Sequence, residues 1–184
     1  MKVWKEQSYL LNRFFWHFLN KIRRNSTEGS MFRIESTDFR EGESIPKKFT
    51  CEGEDLSPGL KWTSPPGGTK SYILIVEDPD APMGTFVHWI LYDISSSLHE
   101  LSRGAGSGKT AKGGMKQGLT DFGHAGYGGP CPPKGHGPHR YNFILKALDI
   151  PSLGLPDGAR KSDLERATFG HILAEARITG KFQR

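Results

Sequence analysis

The sequence predicts a mainly β fold, an all-β sandwich closed by one C-terminal helix, and three observations carry that reading. Short apolar or alternating runs recur from Met31 onward, Pro/Gly clusters separate them, and helical periodicity is confined to the two ends of the chain. The first run, "FRIES", alternates. "KSYILIVE" and "TFVHWILYDI" read as buried strands and "RYNFILKALD" as a fourth, with loops such as "TSPPGGT" between them. Near the C-terminus Ser162 and Glu165 stand at capping-box spacing, and Phe169, Ile172, Leu173 and Ala176 then share one helical face. A helix is expected there, followed by a last strand in "ARITGKF". Between Leu101 and Gly129 the chain is rich in Gly, Ser and Lys and reads as a long surface loop.

At 184 residues and 35% hydrophobic, the chain has material for one core and one appendage. Residues 1–30 form the appendage and residues 31–184 the domain. Six Lys/Arg (Lys2, Lys5, Arg13, Lys21, Arg23, Arg24) against Glu6 and Glu28 put +4 of the net +5 in the first thirty residues, leaving +1 for the rest. A nearly neutral body gives little reason to bind a phosphate polymer, so no nucleic-acid partner is expected. Leu11, Phe14 or Phe15, Phe18 and Ile22 follow helical spacing among basic residues, which predicts an additional N-terminal amphipathic helix. Asn12, Arg13, His17 and Asn20 break its apolar runs, so it neither spans a bilayer nor supplies a secretory h-region, and a cytoplasmic location is expected. Three roles stay open for it: a membrane-surface anchor, a helix that docks on a partner or second subunit, or an extension translated upstream of a start at Met31. Two cysteines are too few for a disulfide scaffold, and the sequence leaves open whether Cys51 and Cys131 pair.

The most unusual stretch is "GGPCPPKGHGPHRY", Gly128 to Tyr141, with four Gly, four Pro and two His. Period two places His139 and Tyr141 on an apolar strand face with Phe143 and Leu145, and His88 with Phe86, Ile90 and Tyr92. Asp78 ends the strand in "YILIVEDPDAP", where prolines stop the ladder and put the carboxylate at the mouth of the sandwich. Taken singly, a histidine on an apolar face is ordinarily a satisfied core residue and a strand-end Asp-Pro is ordinarily a turn. Together, two histidines, a tyrosine and an aspartate outline a polar pocket. Competing chemistries are thinner. No Ser stands in a G-x-S-x-G elbow, so Cys131 is the one plausible nucleophile and a hydrolase the lesser reading. Cys131, His136 and His139 fall short of the four ligands of a structural zinc site, and neither metal nor cofactor is expected. "RGAGSGKT" fails as a Walker A loop, because Arg103 stands where the first glycine belongs.

"DPDAP", "GTFVHW" and "GYGGPCPPKGHGPHRYNFILKALD", with "IPKKFTCEGEDLSPGLKW" before them and "GHILAEARITGKF" after, resemble the phosphatidylethanolamine-binding protein family, also called the Raf kinase inhibitor-like family, in its bacterial form. The resemblance covers Met31 to the C-terminus. It implies a sandwich of two antiparallel sheets with a small anion pocket at one end. Asp78, His88, Gly129, Pro130, Pro132, Pro133, His139 and Tyr141 would build that pocket, with Pro82 on its rim. It further implies binding without catalysis of phosphate, acetate, phosphorylated head groups or phosphopeptide-like ligands, a kinase or protease as modulated partner, and homodimers. On this view the loop glycines turn N–H groups toward the anion and the prolines preform the loop. His88, His139 and Tyr141 add donors, strengthened where a histidine is charged. Asp78, itself an anion, fits by holding a histidine's charge, by carrying a proton, or by binding the ammonium of a zwitterionic head group. A reading of a different class is an interaction module whose N-terminal helix recruits a membrane or a partner.

Overall fold

Among the described residues eight strands form, the longer ones where side chains alternate or run continuously apolar: β1 (Arg33–Ser36), β2 (Leu60–Thr63), β3 (Ser71–Asp78), β4 (Phe86–Ser95), β5 (Glu100–Leu101), β6 (Lys116–Gln117), β7 (His139–Leu148) and β8 (Ile172–Phe182). The computed structural model describes residues 31–108, 111 and 113–184, so the amphipathic helix expected over residues 1–30 lies outside the described residues. The strands form two antiparallel sheets, β1-β2-β5 and β6-β4-β3-β7-β8.

β3 lies in the middle of the larger sheet, which explains its unbroken apolar run. Its even residues Tyr72, Leu74 and Val76 pack between the sheets with Ile34, Trp62, Phe143 and Leu145. Its odd residues Ile73 and Ile75 pack on the outer face with Ile90, Tyr92 and Leu164. Each fully buried side chain of this size contributes about 1.5–3 kcal/mol, so burial on both faces makes β3 the strand the sandwich is built around.

The helix differs from expectation. α1 spans only Lys161–Ala167, and Asp163 rather than Glu165 reaches back, its carboxylate accepting from the Arg160 N–H at 2.9 Å. Gly170, at φ +80°, turns the chain out of the helix, a conformation in which a Cβ would be strained. Phe169 is 88% exposed, and Ile172 and Leu173 are exposed on β8 instead of forming a helical face. β8 starts at Ile172 because its backbone pairs with β7 all the way from His139 to Leu148, a ladder that outweighs the helical spacing of four apolar residues. Lys161 holds α1 on the outer face through Glu77, at 2.6 Å.

The segment expected as a surface loop between Leu101 and Gly129 is tied into the fold. It contributes β6, and Gln117 within it is fully buried, accepting from Trp89 Nε1 at 2.9 Å and donating to the Gly108 carbonyl at 2.7 Å. Among the described residues no helix is long and apolar enough to cross a membrane.

Candidate functional site

Three adjacent strands deliver the candidate side chains to one end of the inner face. Asp78 follows Tyr72, Leu74 and Val76 in phase at the end of β3, and His139 and Tyr141 open β7 in phase with Phe143 and Leu145. His88 arrives differently. Val76 opposes Trp89 and Glu77 opposes Val87, so His88 is left over in a β-bulge. The extra residue corrects the alternation read from the sequence. Ile90 and Tyr92 pack on the outer face beneath α1, whereas the His88 ring meets Tyr141 edge-on at 5.2 Å on the inner side. Without the bulge, strict alternation would keep His88 on the side of Ile90, across the sheet from His139.

Asp78 is 3% exposed, buried at the strand end rather than open at a mouth. Its Oδ1 accepts from the Asp80 N–H at 2.8 Å and its Oδ2 from His139 Nδ1 at 2.7 Å. Of the three roles open to it, the contacts match the first, a carboxylate that orients a histidine. His139, 2% exposed, uses its other nitrogen as well, with Nε2 2.7 Å from Nδ1 of the exposed His136. His88 donates from Nδ1 to the Gly128 carbonyl at 2.8 Å, since a carbonyl can only accept. Burial pushes its pKa below the ordinary 6.5, against the opposing pull of the Gly128 carbonyl and the Asp78 charge. The shift favours the neutral ring near pH 7, and with Nδ1–H given to Gly128 the remaining Nε2 is an acceptor. Tyr141 is wholly buried. Its phenol pKa is pushed far up, first by burial and then by the Asp78 charge, and its hydroxyl makes no hydrogen bond of normal geometry. Phe86 and Phe122 close on the His88 ring, each at 5.2 Å between centroids. Neither aromatic, nor His136 as a partner of His139, was singled out for this site in the sequence; only the packing shows them.

The Gly/Pro loop is engaged elsewhere than expected. The Gly128 N–H donates to the His88 carbonyl at 2.9 Å and the Gly129 N–H to Asp55 Oδ1 at 2.7 Å, while Pro130, Pro132 and Pro133 have no N–H to offer. The Pro130 carbonyl accepts from the Cys51 N–H at 3.2 Å and the Pro132 carbonyl from Arg184 Nε at 2.6 Å. A disulfide joins Cys51 to Cys131, with Cα atoms 5.5 Å apart. These bonds correct the picture of N–H groups turned toward an anion. The glycines serve close packing: a Cβ at Gly129 would lie 2.5 Å from the Phe49 carbonyl oxygen, and one at Gly128 2.5 Å from the Phe122 ring. Pro82 and Pro133 are exposed. Cys131, being bridged, is neither a thiol nucleophile nor a metal ligand.

A cavity of about 80 Å³ lies beside this loop, walled by Asp55, Phe122, His124, Gly128, Gly129 and the disulfide. By liquid volume, roughly 30 Å³ per water, it has room for two or three waters or one small oxyanion. It shares Phe122 and Gly128 with the surroundings of His88, while Asp78 and His139 do not line it. Larger hollows of about 550 and 410 Å³ flank α1, but the imidazole cluster lines neither. Chemistry rather than size singles out the strand-end cluster.

Residues 35–183 match the family model for phosphatidylethanolamine-binding protein. A UPF0098 protein of Aquifex aeolicus is 50% identical over 159 residues, covering 86% of this chain and 92% of its own. UPF0098 protein YbhB of Escherichia coli is 38% identical over 157 residues, covering 82% and 99%. Among solved structures, E. coli YbcL, described as a member of the mammalian PEBP family, superposes with TM-score 0.78 at 33% identity over 83% of this chain and 98% of its own. A PEBP homologue from Chlamydia trachomatis superposes with TM-score 0.75 at 38% identity over 83% and 97%.

Proposed function

This chain belongs to the phosphatidylethanolamine-binding protein family, and from that premise we propose that its strand-end cluster binds one small phosphate-bearing ligand, a phospholipid head group or a phosphorylated partner, without chemical turnover. The observation that carries the reading is the convergence of Asp78, His88, His139 and Tyr141 from three adjacent strands into one nearly solvent-free cluster. A core gains nothing from so many buried polar groups, and each must be satisfied or cost stability.

The roles divide by contact. Asp78 fixes His139 with Nδ1–H toward the carboxylate, which leaves Nε2 as the ligand-side atom. The Tyr141 hydroxyl lies beside the Asp78 carboxylate with no hydrogen bond of normal geometry, and it turns to donate to an oxyanion oxygen. His88 Nε2 accepts from a protonated phosphate oxygen, or takes up a proton as the anion binds. The loop and its disulfide act as a rigid wall. Bridging Cys131 removes the nucleophile the sequence offered, which favours binding over hydrolysis. A kinase or protease held through a phosphorylated residue is the macromolecular form of the same reading. A cytoplasmic address agrees with the disulfide only where intracellular disulfides persist, which alkylation of unreduced cell extracts tests.

The deciding experiment is titration calorimetry of the full chain with phosphate, phosphoethanolamine and phosphoserine, beside His139→Ala and His88→Ala. Wild-type binding that weakens by an order of magnitude or more in His139→Ala is the expected result, for loss of a charge-assisted hydrogen bond worth about 1.5–3 kcal/mol. Folded wild type that binds none of the three sinks the reading.

A further inference from the structure

On the anion-binding reading above, we propose that His136 caps the pocket: an oxyanion reaches His139 Nε2 only by displacing the His136 ring. Both nitrogens of His139 are engaged, Nδ1 with Asp78 Oδ2 at 2.7 Å and Nε2 with His136 Nδ1 at 2.7 Å. The occupation of Nε2 does not depend on where the shared proton sits. A carboxylate only accepts, so His139 Nδ1 donates to Asp78, and Nε2 then either gives its proton to His136 or receives one from it. In neither arrangement is that nitrogen open to a ligand.

His136 is the one member of the Asp78–His139–His136 chain that can leave cheaply. Asp78 and His139 are buried, whereas His136 is exposed and, among the described residues, its ring has no partner but His139, at 5.0 Å between centroids. It stands between Gly135 and Gly137, both in the left-handed region at φ +74° and +85°, where the absence of a Cβ leaves the backbone free to pivot. The base of the turn stays anchored, because the Gly135 N–H donates to the Arg184 carbonyl at 3.0 Å and the His136 N–H to the Pro133 carbonyl at 3.2 Å. The ring can thus swing while the wall behind it holds. The exchange also discriminates. A bond from an imidazole to an oxyanion is roughly twice as strong as one between neutral groups, so an oxyanion displaces the cap where an uncharged acceptor does not.

The test is calorimetric titration of the full-length protein with inorganic phosphate, comparing wild type, His136→Ala and His136→Asn, whose amide nitrogen stands in for Nδ1. His136→Ala should bind phosphate about 2- to 10-fold more tightly, the effect of removing one competing hydrogen bond of ordinary strength, with His136→Asn close to wild type. In ¹⁵N NMR of the wild type, phosphate should move His136 Nδ1 toward the position of a free imidazole while His139 Nδ1 keeps its hydrogen-bonded shift. Unchanged or weaker binding by His136→Ala overturns the cap and leaves the pocket standing, as does a His136 resonance indifferent to saturating phosphate. Tightening in His136→Asn equal to that in His136→Ala assigns the gain to the loop and also overturns it. If none of the three proteins binds phosphate, the anion reading falls and the cap with it.

Discussion

The Gly128–Pro133 loop and the ends of β3, β4 and β7 meet at the candidate site, yet their polar groups are committed in opposite ways. The loop's hydrogen bonds go to backbone, to Asp55 and to Arg184, and a disulfide fastens it to the segment around Cys51. The strand ends join side chain to side chain, Asp78 to His139 to His136, and leave the Tyr141 hydroxyl without a hydrogen bond of normal geometry. A Gly/Pro-rich run thus marks where a wall had to be packed closely and held, and the chemistry sits on the strands that face it.

Opening the disulfide should have the largest effect, because Cys51 and Cys131 are 80 residues apart. Chain-entropy arguments give a loss of about 4 kcal/mol for a loop of this length. Urea denaturation of a Cys51→Ser, Cys131→Ser variant measures it, and a loss below about 1 kcal/mol would mean the hydrogen bonds alone hold the wall. Next comes Asp78→Ala, which strips the buried His139 Nδ1 and the Asp80 N–H of their acceptor and should cost about 3 kcal/mol by the same method. Asp78→Asn keeps an acceptor and should recover part of that.

His88 supplies a pH signature. Its folded pKa lies below the ordinary 6.5, so between the two values the unfolded chain holds more protons, and stability falls as the pH drops below about 6.5. Melting temperatures of wild type should decline from about pH 7 to pH 5 more steeply than those of His88→Gln. Parallel curves would show that His88 is not the titrating group. Phosphate affinity should move the other way, rising on acidification as the bound charge favours a protonated ring. Tyr141→Phe should change stability by no more than about 1 kcal/mol, since it removes a buried hydroxyl that lacks a hydrogen bond of normal geometry, while weakening phosphate binding. A large destabilisation would expose a partner for that hydroxyl. The smallest effect belongs to the exposed pair Arg140–Asp80, 2.7 Å apart, which holds the Asp80 carboxyl down to about 2. Its contribution is present above the ordinary 3.8 and disappears as the pH falls through about 2. Solvent screening should make Arg140→Ala indistinguishable from wild type in a neutral-pH melt, and a clear shift would mark this pair as part of the wall.

What could be read from the sequence follows what is local. The four long strands and the inward phase of His139 and Tyr141 needed only period two along a few residues. The partners of the loop's N–H groups could not be seen that way, because Gly129 donates to a residue 74 positions earlier and Cys51 to the carbonyl of Pro130. Residues 162–176 misled for a related reason: helical spacing is a local signal, and pairing with β7 overrode it beyond Gly170. His136 looked like a weak zinc ligand because the sequence placed it near Cys131 and His139 without showing that the cysteine was already bridged.

The bulge at His88 makes the length of β4 a functional variable in its own right. Opposite Val76 and Glu77, β4 carries one residue more than β3, and that surplus changes which side of the sheet a histidine serves. A one-residue deletion beside His88 would leave two apolar faces for the sandwich to bury and would take an imidazole away from Tyr141. Such a chain could keep its fold and lose its site, so residue identity alone is an incomplete guide to which relatives share this chemistry; the count of residues between Asp78 and Trp89 belongs in the comparison too.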